Sequence, residues 1–185
     1  MMELTEQQIA ECANPAGGFY DTPGSVKLLA RLKEAYDGAE PSGNSVAALN
    51  FLRLARLTNN KKWADTAEKT IGSFSDTLAS YAPAMPLMLS ALDIHTAKAK
   101  QMIVIAGNKR NEDTRALLRE VHSRYLPNAI LMVVDGGANQ KFLEKNMPFL
   151  QTVKKINGQA TAYVCENFTC KMPVNKAADL ARLLE

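Results

Sequence analysis

The sequence predicts an α + α/β chain, a helical first half followed by a small α/β domain with elements in the order βαβαββα. Three observations carry this expectation. Apolar residues recur at helical spacing through residues 46–78. Two short, wholly apolar runs, MIVIA at 102–106 and ILMVV at 130–134, have the character of buried parallel strands. The pattern changes after Ala97, which sets expected domains at 1–97 and 98–185 with a linker around 94–101.

Taken in order, residues 4–13 read as a short helix ended by Asn14-Pro15 and the Gly17-Gly18 pair. Residues 46–57 are apolar on every side, as an inner helix covered by neighbours would be, and Ser42 or Asn44 can cap its start. Trp63, Ala67, Ile71, Phe74 and Leu78 recur at steps of three and four and predict one amphipathic helix over 63–78. Pro83 and Pro86 open a third helix over 85–94, because the first turn does not need the missing N–H. Between the two apolar runs lies a helix with Leu117, Leu118, Val121 and Tyr125 on one face and Asn111 as its cap. A short helix follows near 141–145. Strands at 160–165 and 170–173 then flank a turn at 166–169, and Asn175 caps a last helix with Ala178, Leu180, Leu183 and Leu184.

Composition narrows the function classes. With 22 basic and 19 acidic residues the net charge is only +3, and no basic run is interleaved with aromatics, so nucleic acid is not an expected partner. No apolar stretch approaches the roughly 20 residues that span a bilayer. The opening Met1-Met2-Glu3-Leu4-Thr5-Glu6 is acidic and lacks an apolar core, and three cysteines, an odd count, argue against a secreted disulfide framework. The expectation is a cytoplasmic protein.

Three stretches together carry a family likeness: Gly17-Gly18-Phe19-Tyr20-Asp21-Thr22, the DGAEPSGNS run at 37–45, and AYVCENFTC at 162–170. Their order resembles the C-terminal end of the YyaL-like family, which includes the spermatogenesis-associated thioredoxin-domain proteins. The resemblance covers essentially the whole chain, and the DGAEPSGNS run is its most specific part. It implies that the first half is part of an (α/α)6 helical-hairpin toroid, like that of sugar epimerases and some glycosidases. The family's N-terminal thioredoxin-like domain and most toroid hairpins do not occur in these 185 residues, and neither does any Cys-x-x-Cys.

In such a toroid the 37–45 loop would stand at the mouth of the central cavity. Asp37, Glu40, Ser42 and Asn44 are therefore candidate pocket-lining groups for a small sugar-like ligand, with Asp21 approaching the same rim. Capping and tight turns call for the same residue types. Cys165 and Cys170 bracket a four-residue turn, close enough for a disulfide or half a metal site, although buried reduced thiols are the favoured reading. No metal site and no cofactor is expected. His95 and His122 read as helix-end and surface residues, and the turns at 107–110 and 135–137 as solvated.

Two functions follow as expectations. One is a sugar-processing, epimerase- or glycosidase-like enzyme, inactive until a companion chain completes the cavity. The other is a non-catalytic association module, a homo-oligomer or one part of a larger assembly, whose helices present uncovered apolar faces. A third, thiol-redox reading lacks a nucleophilic thiol in Asn108-Lys109-Arg110-Asn111 after the first strand.

Overall fold

The computed structural model describes residues 2–97 and 101–185. Among them are eight α-helices and a four-stranded mixed sheet. The chain divides into two compact units, Met1–Ala97 and Lys98–Glu185. Part of the expected linker, residues 98–100, lies outside the described residues.

The first unit contains α1 (Met2–Cys12), α2 (Gly43–Thr58), α3 (Lys61–Gly72), α4 (Ser75–Tyr81) and α5 (Pro86–Thr96). Ser42 caps α2, its hydroxyl accepting from the Ser45 amide. Two adjacent asparagines make the turn between α2 and α3. Asn59 ends α2 in the left-handed region (φ 51°), and the Asn60 side chain then accepts from the Lys62 amide to start α3. This turn lets α2 pack on α3 while its other flank meets α5. Phe51 stacks between Phe19 (ring centroids 5.5 Å apart) and Trp63 (5.8 Å) at the centre of the core.

Helix α2 is not buried all round. Val46 is exposed, whereas Asn44, Ser45 and Arg56 are buried. Nor is 63–78 one helix. The chain breaks at Ser73-Phe74, where the amides of both residues bond back to carbonyls of α3, and α4 begins anew. The apolar spacing continues across the break, so periodicity could not reveal it.

Pro86 opens α5, and Pro83 belongs to a separate 3-10 turn, Ala82–Ala84. Both ends of α5 are held by charged side chains from elsewhere. Asp37 accepts from the Leu87 and Met88 amides at its start, and Arg56 donates to the Ile94 carbonyl in its last turn. An anion at the N-terminus and a cation at the C-terminus complement the helix dipole. Gly17 (φ +102°) is required for a different reason, since a Cβ there would lie 2.3 Å from the Lys69 carbonyl oxygen.

In the second unit the strand order is β2-β1-β3-β4, with β1 (Gln101–Ala106) parallel to β2 (Ile130–Val134) and antiparallel to β3 (Thr161–Glu166). Strand β4 (Thr169–Cys170) closes a hairpin on β3 through Asn167 and Phe168, both left-handed, as a two-residue hairpin turn requires. Helices α6 (Glu112–His122) and α8 (Ala177–Leu183) contribute Leu117, Val121 and Leu180 to a core with Ile103, Ile105, Ala162 and Val164. Helix α7 (Ala138–Glu144) lies between β2 and a 3-10 turn, Pro148–Thr152.

Three local expectations need correction. Asn111 stands at the N-cap of α6 without a capping bond from its side chain. Asn175 precedes the α8 cap, Lys176, and its amide instead holds the Ala160 carbonyl and the Thr161 hydroxyl. Tyr125 lies beyond α6 and is exposed. The start of β3 is also gripped from α6, where Asp113 accepts from the Ala160 amide. That bond holds the Asp113 carboxyl below its ordinary range.

Candidate functional site

The structure uses the 37–45 loop as a junction. Asp37 is buried. One of its carboxylate oxygens accepts from Ser42 N (2.8 Å), and the other accepts from Leu87 N (2.8 Å) and Met88 N (3.2 Å). The side chain that starts α5 thus comes from fifty residues away, in place of Met85, which occupies the cap position and makes no capping bond from its side chain. Ser42 is committed to Ser45, through the amide and through a hydroxyl–hydroxyl bond of 2.9 Å.

Asn44, 1% exposed, makes three bonds. Its oxygen accepts from Phe19 N (2.6 Å), and its amide donates to Phe19 O (2.9 Å) and Glu34 O (2.8 Å). These bonds tie the Gly-Gly-Phe loop and the irregular segment before Asp37 onto the start of α2. The polar groups of Asp37, Ser42 and Asn44 are therefore directed into the protein framework. Asp21 and Glu40 are exposed, Asp21 facing the Glu34 amide at 3.5 Å.

A second feature lies on the surface of the same unit. An apolar groove of about 490 Å³ runs between α3, α4 and α5, lined by Ile71, Leu78, Leu89 and Leu92 with His95 at its edge. Beside the candidate loop in sequence, Leu28, Leu29, Leu32 and Tyr36 are 52%, 110%, 73% and 61% exposed on a segment without helix or strand. Sequence reasoning did not single these residues out. Their spacing, 28, 29, 32 and 36, was the available signal.

Cys165 and Cys170 are directly opposed on β3 and β4 and form a disulfide. The reading as buried reduced thiols is thus corrected. Cys165 is buried but Cys170 is exposed, and the sulfurs are bonded to each other. Cys12 is free. Thiol titration in denaturant is expected to find one thiol before reduction and three after it. Three before reduction would show the hairpin to be open. Among the described residues no cluster of three or more metal-ligating side chains occurs. Among the described residues no helix is long and apolar enough to cross a membrane.

The chain is 41% identical to human spermatogenesis-associated protein 20 over 170 residues, which cover 91% of this chain and 21% of the human protein. The mouse protein is 39% identical over 174 residues, 92% of this chain and 22% of its own length. The chain belongs to the spermatogenesis-associated protein 20 family. It is homologous to that family's C-terminal region and spans about a fifth of the length of these curated relatives. An uncharacterised protein of Caenorhabditis elegans is 23% identical over 170 residues, 92% of this chain and 23% of that protein. No family model matches the chain.

Proposed function

We propose that this chain is a non-catalytic association module of a spermatogenesis-associated protein 20-type protein, its helical unit being completed by further helices from a companion chain or a second copy. One observation carries the reading. Leu28, Leu29, Leu32 and Tyr36 stand exposed on one short segment, while the polar groups of the neighbouring loop are spent on capping and bridging. Clustered exposed apolar side chains of this kind mark interaction surfaces. In the assembled state the unit would contribute one wall of a carbohydrate-type pocket, and Glu40 and Asp21 are the members of the candidate set left at the surface to meet a hydroxylated ligand.

The test is molar mass by light scattering across a concentration series. Self-association is expected for the isolated chain, and Leu29→Asp with Leu32→Asp should shift it toward monomer without loss of helical signal, because both side chains lie outside the core. A monomer at every concentration would remove the second copy as the partner and leave only a companion chain.

The hairpin favours a second, narrower reading, in which exposed Cys170 exchanges with an external thiol. Insulin reduction that survives Cys12→Ser and vanishes in Cys170→Ser would establish it.

A further inference from the structure

The carboxyl ends of the two parallel strands open onto a cleft that the association role does not use. Strand β1 leads through 107–110 into α6, which packs on the sheet face of Ile103 and Ile105. Strand β2 leads through 135–137 into α7, whose Gln140 binds the Leu150 and Val153 carbonyls. The segment after them is tied to the other face, because Tyr163, opposite Val104 in the ladder, bonds both the amide and the carbonyl of Lys154. Two neighbouring parallel strands thus send the chain to opposite sides of the sheet. A crevice formed in this way is where open α/β sheets hold ligands.

Here the crevice is a cleft of about 270 Å³, lined among others by Asn108, Lys109, Arg110, Asp135, Asn139 and Gln140. Its floor is set by Gln140, which is buried, accepts from the Gly136 amide and donates to Leu150 O at 2.9 Å. Its walls differ in charge. Lys109 and Arg110 are exposed and make no ion pair among the described residues. The nearest acids in sequence are engaged elsewhere, Glu112 with Arg115 and Arg119, and Asp113 with the Ala160 and Thr114 amides. The opposite wall offers the Asp135 carboxylate, one oxygen of which accepts from Gly137 N, and the exposed Asn139.

A small cleft lined by two cations together with a carboxylate and an amide matches a ligand that is anionic at one end and hydroxylated at the other. The volume lies just below the roughly 300 Å³ at which drug-sized ligand pockets begin, which suits a smaller ligand. We propose that this cleft binds a small phosphomonoester bearing hydroxyl groups, with Lys109 and Arg110 on the phosphate and Asp135 and Asn139 on the hydroxyls.

Amide NMR titration of the whole chain with glucose 6-phosphate, inorganic phosphate and glucose, at physiological salt, tests the proposal. The ester is expected to give saturable shifts confined to 107–110 and 135–140. Inorganic phosphate should bind the same place at least tenfold more weakly, and glucose should leave the spectrum unchanged. Lys109→Ala with Arg110→Ala should weaken ester binding at least tenfold while leaving resonances elsewhere in place, since both side chains are exposed. Asp135→Asn should narrow the gap between ester and inorganic phosphate. Shifts scattered over other lysines, failure to saturate, or an unchanged affinity in the double variant would overturn the site. Equal affinity for ester and inorganic phosphate would overturn the hydroxyl half of the assignment.

Discussion

Asn44→Ala is expected to destabilise the helical unit by about 3–5 kcal/mol, more than any truncation of an exposed residue in the chain. The substitution removes three hydrogen bonds. It leaves the amide and carbonyl of buried Phe19 without partners, and each unmet buried group costs roughly 1–3 kcal/mol. Asn44→Asp should be no better. It keeps an acceptor for Phe19 N, but it replaces the donor that serves Phe19 O and Glu34 O with a second oxygen. Urea unfolding followed by the fluorescence of Trp63, the sole tryptophan, reports on this unit. A midpoint within error of the parent protein would show that the side chain does not bridge these segments in solution.

The second large effect is at Asp37. Asp37→Ala deprives Ser42, Leu87 and Met88 of their acceptor, and the expected loss is about 2–4 kcal/mol. Asn at this position retains one acceptor oxygen and should fall between the two. Hydrogen exchange separates this structural role from a role in ligand binding. The Leu87 and Met88 amides should exchange roughly a hundredfold faster in Asp37→Ala, since each 1.4 kcal/mol is a factor of ten in an equilibrium. Unchanged exchange at those two amides would mean that the carboxylate does not start α5.

These two residues also show what was legible in the sequence. The DGAEPSGNS run stood out as a cluster of short polar side chains before an apolar helix, and either a pocket or a set of caps would look the same. Ser42 as the cap of α2 is a local relation, three residues long, and could be read directly. Asp37 caps a helix fifty residues downstream, and Asn44 reaches back twenty-five residues to Phe19. No local pattern encodes either partner. The runs at 102–106 and 130–134 are strands β1 and β2 in the structure, because four or five consecutive apolar residues between turn signals leave little alternative. Their connections hide the cleft. Lys109, Arg110 and Asp135 lie in two turns about twenty-five residues apart that each look solvated, and only the adjacency of β1 and β2 brings them to the lining of one cleft. The exposed leucines show the opposite failure. Their spacing suits a helix, yet 28–36 is irregular.

That irregular segment has a consequence for how the sequence can drift. Arg31 secures it by donating to the Thr22 and Glu11 carbonyls, Lys33 by donating to Gly17 O, and Asn44 by donating to Glu34 O. In every one of these ties the receiving atom belongs to the main chain. Thr22 and Glu11 can therefore be exchanged for residues of other character without loosening these ties, whereas Arg31, Lys33 and Asn44 cannot, and neither can Glu34, whose own carboxylate accepts from the Ala35 and Tyr36 amides. Along these ties the path of the chain is written in its donors, and positions 11 and 22 are open to be respecified for whatever surface they meet.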